Sequence, residues 1–250
     1  MRAVAGSAMI AVALTALALG GIVFWLLCAV AAVFMMAEWA DLHHVGAKQK
    51  RLGQYALFVA LALMSPWAAG PHFLALGLLA GAAFFLVIVT GRRDLALGAI
   101  YVGLPVFALL LMREQTGGLI YAVWALALVW ACDIGAYFSG RTFGGPKLSP
   151  AISPNKTWAG LIGGVILASL FAEAMHQVYS LPLRLALATP GLAVLAVLGD
   201  LYESWLKRRA GVKDSGTLLP GHGGVLDRLD GLVPVAPCAA LLVIVPRLGL

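Results

Sequence analysis

The feature that most constrains this chain is a succession of apolar runs, each close to bilayer length and each ended by charge, proline or glycine. A hydrocarbon core about 30 Å thick takes roughly 20 helical residues, with tilt and short helices widening that range. The runs lie near 4–20, 22–38, 55–70, 72–90, 95–112, 119–139, 158–179, 185–202 and 231–248. With 62% hydrophobic and 11% charged residues, the chain is far more apolar than a soluble domain needs to be. The expected fold is therefore an all-α polytopic membrane protein of about nine transmembrane helices, with polar loops on the cytoplasmic side. The first run resembles a signal peptide in isolation, but a second follows almost at once, so the pair reads as a retained helical hairpin.

Charge sets the orientation. The basic residues gather in alternate connections: Lys48, Lys50 and Arg51; Arg92 and Arg93; Arg141, Lys147 and Lys156; then Lys207, Arg208, Arg209, Lys213 and Arg228. The other side holds only Arg2, Arg113, Arg184 and Arg247. The positive-inside rule places the basic connections in the cytoplasm. A net charge of +6 without a long basic tract or interleaved exposed aromatics argues against nucleic acid as a partner. Cys28, Cys132 and Cys238 sit in apolar runs without CxxC or Cys/His spacing, which argues against disulfides and structural zinc.

No repeat or linker divides the chain, so residues 1–250 read as one integral membrane domain. Residues 1–130 carry few polar groups within their runs and read as scaffold, whereas residues 131–250 hold most of the acids and read as the catalytic half.

Asp133 falls inside an apolar run and Asp200 at the end of another, where a carboxylate is costly unless paired or holding a cation. Arg141 or Lys207 are the plain ion-pair partners. Asp227 and Asp230 lie three apart, on one face if a helix begins there; they either share a cation such as Mg²⁺ or favour the positive end of the last span. The turn from Gly221 through His222, Gly223 and Gly224 is either a close backbone approach to an anion or only a tight loop. His222 is either a donor to phosphate or a loop residue without a role. "SPNKTW" offers Ser153, Lys156 and Thr157 in a short polar turn before a helix, as a phosphate cradle or as an N-cap beside an interfacial Trp158. Lys207, Arg208 and Arg209 read alone as a topology signal or a lipid-headgroup contact.

Taken together, "SWLKRRAGVKDSGTLLPGHGGVLDRLD" (204–230) resembles the signature of the phosphatidate cytidylyltransferases, or CDP-diacylglycerol synthases. The likeness extends to "GDLYES" (199–204), "DIGAYFSGRTFG" (133–144) and "KLSPAISPNKTWAG" (147–160), and more loosely to Glu38 and Trp39. Asn155 stands where a lysine or similar residue is expected. The resemblance implies CTP and phosphatidate as substrates, CDP-diacylglycerol and pyrophosphate as products, Mg²⁺ as cofactor, and a multi-pass location in a bacterial cytoplasmic membrane with the active site facing the cytoplasm. A homodimer is compatible with it. It implies that Asp200, Asp227 and Asp230 hold metal, with Asp133 and Glu203 as further candidates. Lys156, Lys207, Arg208, Lys213 and Arg228 then hold phosphates, helped by Ser153, Thr157 and the backbone of Gly221, Gly223 and Gly224. Rival readings are a CTP-dependent enzyme acting on another lipid, and a transporter coupling intramembrane acids to solute movement.

Overall fold

A computed structural model describes the backbone of residues 2–218 and 223–245, and their side chains from Ile10 onward. Gly221 and His222 of the glycine-rich turn, and the last residues of the expected final span, lie outside the described residues. The helices are α1 (Arg2–Leu19), α2 (Gly21–Leu42), α3 (Ala47–Leu63), α4 (Phe73–Thr90), α5 (Arg93–Glu114), α6 (Gly118–Phe143), α7 (Trp158–Tyr179), α8 (Leu183–Arg209), α9 (Leu226–Leu229) and α10 (Leu232–Ile244). Each apolar run thus becomes one helix, and α9 is an additional single turn. By length and composition, α2, α4, α5, α6, α7 and α8 are able to cross a membrane. The chain is an all-α polytopic membrane protein.

Between α6 and α7 the expected polar turn is instead a small antiparallel hairpin, β1 (Lys147–Ser149) with β2 (Ser153–Thr157). Lys147 pairs with Thr157 and Ser149 with Ser153. The strands are short and half-exposed. Thr157 closes the hairpin and opens α7, where its side chain accepts the Gly160 amide at 3.0 Å. That bond satisfies one of the amides a helix start leaves without a partner.

Lipid tails are as apolar as leucine, so helices in a bilayer associate through close packing and hydrogen bonds rather than by escaping water. The sequence provides both. At Gly135 on α6, an added Cβ would lie 2.5 Å from the Gly163 carbonyl oxygen, and at Gly164 on α7, 2.7 Å from that of Cys132. The α6 and α7 backbones therefore touch, as small residues at an interface permit. Trp39 on α2 stacks into α5 in the same way: its Nε1 donates to the Asp94 carbonyl at 2.8 Å, and its ring fills the space a Cβ on Gly98 would need. Deep in the bundle, Trp124 on α6 donates to Thr189 Oγ1 on α8 at 3.0 Å.

One crossing places the chemistry. At Gly199 on α8 an added Cβ would stand 2.5 Å from the Asp230 carbonyl oxygen. Only a residue without a side chain lets α8 approach the α9–α10 junction this closely. Asp200, the next residue, and Glu203, one turn further along α8, are thereby brought beside Asp230.

Candidate active site

Two clusters, each pairing a lysine with acids, lie along the last turns of α8. The first opens into a cavity of about 210 Å³ lined by Asp133, Tyr137, Lys156, Thr157, Gly160 and Asp200. The Lys156 ammonium, on β2, pairs with Asp200 Oδ2. The hairpin thus carries its lysine across to α8, and Asp133 faces the same cavity from α6. Of the two partners expected for Asp200, Lys207 turns to a different acid and Arg141 donates to the Tyr137 hydroxyl at 2.9 Å.

The second cluster joins α8 to α9. Lys207 Nζ lies 2.6 Å from Asp227 Oδ1 and 3.5 Å from Glu203 Oε1. Asp227 Oδ2 accepts the amides of Ser215 at 2.9 Å and Gly224 at 2.8 Å. Burial works to raise its pKa, but Lys207 and the two amides win and hold this carboxyl below the usual carboxylate range. Asp230 is the opposite case. It accepts the Gly231 amide at 2.7 Å, and burial followed by the nearby Asp200 charge pushes its carboxyl upward. Glu203 is fully buried, and among the described residues neither of its oxygens accepts a hydrogen bond. The buried Tyr101 hydroxyl on α5 is likewise without a hydrogen-bond partner there.

The backbone stays in the right-handed helical region from Val225 through Gly231, so the three-residue spacing of Asp227 and Asp230 is kept, but the two acids take different partners. Asp227 is saturated by a cation and two amides; Asp230 turns toward Glu203, Asp200 and Asp133.

Beyond these contacts, the match to known sequences is extensive: the model of the cytidylyltransferase family covers residues 1–245. The chain belongs to the cytidylyltransferase family. It is 40% identical over 229 residues to the phosphatidate cytidylyltransferase of Brucella suis biovar 1, an alignment covering 87% of this chain and 83% of that one. It is 45% identical over 147 residues to the protein of the same name from Bacillus subtilis, covering 57% and 55%. The corresponding protein of Pseudomonas aeruginosa is 43% identical over 157 residues, covering 60% and 57%.

In this cytidylyltransferase the remaining predicted residues fall as follows. Ser153 lies half-buried on β2 opposite Ser149, and Thr157 is buried as the α7 N-cap. Arg208, Lys213 and Arg228 are exposed, with Arg208 Nη1 donating to the Val212 carbonyl at 3.2 Å. Gly223 takes a left-handed φ of 79°, and its missing side chain leaves room for Asp227, whose Oδ2 would lie 2.7 Å from an added Cβ. Sequence reasoning did not single out Glu38 or Tyr101 as site residues. A glutamate in the otherwise apolar stretch 22–40 is the same signal that drew attention to Asp133, and it marks Glu38. Tyr101 carries no such signal, because a tyrosine is ordinary near a membrane interface.

Among the described residues, no three His, Cys, Asp or Glu side chains converge as a ready-made metal cage. A hydrated Mg²⁺ does not need one, since it binds through one or two carboxylates plus substrate phosphates. The crowding of the Glu203, Asp230 and Asp200 carboxyls, with Lys207 engaged mainly by Asp227, suits such a cation.

Proposed function

We infer that this chain transfers a cytidylyl group from CTP to phosphatidate, releasing pyrophosphate and leaving CDP-diacylglycerol in the membrane. What carries this reading is the pairing of Lys156 with Asp200 and of Lys207 with Asp227 beside the buried acids Glu203 and Asp230, in a family member 40% identical over most of its length to a phosphatidate cytidylyltransferase.

The chemistry fits these residues. A phosphate monoester has a second pKa of about 6, so the attacking oxygen of phosphatidate is already largely ionised near neutrality and needs little general-base help. That oxygen forms a bond to the α-phosphorus of CTP as the bond from that phosphorus to the α,β-bridging oxygen breaks, and pyrophosphate leaves with that oxygen and the electron pair. The barrier is the approach of two polyanions, so catalysis consists of positioning and charge compensation. Lys156 lines the cavity and Lys207 the loop side, where each now holds a carboxylate that a phosphate group could replace. Lys213, Arg208 and Arg228 are exposed at the same end and supply further positive charge, while Ser153 and Thr157 supply neutral hydroxyls.

We assign Mg²⁺ to the acids between the clusters. Asp200 and Asp230 are its primary candidates, with Asp133 and Glu203 adjoining them. Asp227 joins only if the cation displaces or shares the Lys207 contact. When bound, the ion neutralises charge building on the phosphates. The acyl chains stay in the bilayer, and the basic connections support a site at the cytoplasmic face of a bacterial inner membrane.

The test is purified protein in detergent with labelled CTP and phosphatidate, followed by analysis of the lipid product. Label in CDP-diacylglycerol with equimolar pyrophosphate is expected. Label transferred only to another lipid, or a γ-phosphate transferred in place of the cytidylyl group, would move the reaction elsewhere in the CTP-dependent lipid enzymes.

A further inference from the structure

We propose that Glu38, near the end of α2, is a positioning residue for this reaction: it fixes both stems of the stretch that carries Asp227 and Asp230. The proposal rests on the cytidylyl-transfer reading for its functional consequence, and on contacts alone for its geometry. Glu38 is 6% exposed. Its Oε2 accepts the Leu226 amide at 2.7 Å and the Ser215 hydroxyl at 3.2 Å, and its Oε1 accepts the Val225 amide at 2.9 Å. Asp227 accepts the Ser215 and Gly224 amides. Ser215 therefore gives its hydroxyl to one carboxylate and its amide to the other, while the successive amides of 224, 225 and 226 are divided between the same two. Residues 215 and 224–226 are pinned side by side although eight residues lie between them in the chain.

The surrounding chain is shaped to this carboxylate. A Cβ on Gly216 would lie 2.7 Å from Glu38 Oε1, and one on Gly224 would lie 2.6 Å from Oε2. Both stems must be glycine where they wrap it. Its own position is set by the neighbouring Trp39, anchored to α5 through Asp94 and Gly98. Among the described residues no lysine or arginine pairs with Glu38; backbone and hydroxyl donors alone hold its charge. A buried charge is a poor way to gain stability, since an apolar side chain of similar size would usually serve as well. What a carboxylate offers here is direction: it accepts from several donors in one geometry and so selects one arrangement of the stretch. Glu38 touches no reacting atom and acts through Ser215, Val225 and Leu226.

The experiment uses the full chain purified in detergent, as wild type, Glu38→Gln, Ser215→Ala and the double variant. In Glu38→Gln an amide NH₂ faces donors in place of an oxygen, so turnover per folded protein is expected to fall on the order of tenfold or more, with a raised KM for CTP. Hydrogen exchange at the Val225 and Leu226 amides should quicken while the amides of α5 are unchanged. Ser215→Ala should show a smaller effect of the same kind, and the double variant should be little worse than Glu38→Gln, because the two act as one unit. Wild-type kinetics and exchange in Glu38→Gln, full additivity in the double variant, or a lowered thermal midpoint with kinetics per folded protein unchanged would each overturn the proposal. If Glu38→Gln fails to fold, Ser215→Ala decides: unaltered exchange at 225–226 and an unaltered KM for CTP reject it. A wild-type protein that does not turn over CTP with phosphatidate refutes the reaction reading, and the exchange measurement still judges the clasp.

Discussion

Lys207 Nζ and Asp227 Oδ1, 2.6 Å apart and largely buried, tie the end of α8 to the start of α9. Asp227 thereby differs from Asp230, three residues on, which faces other acids. Asp227→Asn keeps the shape but presents an NH₂ to a lysine or an amide, and should lower stability by about 1–3 kcal/mol as well as reduce turnover. Asp230→Asn removes one of several crowded negative charges, so metal-free protein should be as stable as wild type or more so. Its turnover should fall on the order of a hundredfold, as when another enzyme loses a main electrostatic contact. Thermal midpoints and specific activity, measured together, separate the two; equal effects on both quantities would contradict this division of roles.

Metal removal has a structural readout as well as a catalytic one. Chelation by EDTA should abolish turnover and Mg²⁺ should restore it, and Mg²⁺ should also raise the thermal midpoint of the wild-type protein by binding only the folded state. That rise should shrink in Asp200→Asn and Asp230→Asn. Full turnover in metal-free buffer would dismiss the cation.

Lys156 pairs with Asp200 across the cavity. Lys156→Met retains the apolar stem and removes the charge, leaving Asp200 without that partner. A loss of about tenfold to a hundredfold in kcat/KM for CTP is expected, with partial recovery in Lys156→Arg. Unchanged kinetics in Lys156→Met would assign the lysine to the hairpin alone.

At the α6–α7 contact, Gly135→Val forces a side chain toward the Gly163 carbonyl and the Leu167 side chain. Overpacking of this kind costs about 1–3 kcal/mol, and direct backbone contact puts the expected value at the upper end. Because α6 and α7 both line the cavity, activity should fall with stability. A thermal series across Ala, Ser and Val at position 135 should decline in order of size.

The basic connections predict a side. A cysteine replacing Lys213 should be labelled by an impermeant reagent in inverted vesicles and not in intact cells, with cysteines at Lys48, Arg92 and Lys147 behaving alike. Labelling from outside would reverse the orientation.

The helices were legible because hydrocarbon imposes a length, and a length can be counted along one chain. Segments 133–160 and 199–230 were legible because charge in so apolar a sequence is rare. The hairpin 147–157 was hidden by its brevity, since three and five residues carry too little pattern to separate a strand from a turn. The division between Asp227 and Asp230 depends on Lys207 of α8 reaching Asp227 and on Gly199 admitting Asp230 to α8. Neither can be read without knowing which helices meet. Glu38 is the extreme case, because its partners lie 177 to 188 residues away.

That separation is also an interval of time. Glu38 precedes its partners at 225 and 226 by 187 and 188 residues, and at roughly 5–20 residues per second they follow on the order of ten to forty seconds later. Until they arrive, the Glu38 carboxylate lacks the two backbone amides it accepts in the folded chain. A chain stopped before residue 225 would leave Glu38 without those donors, so the clasp on this stretch closes only after α8 has been made.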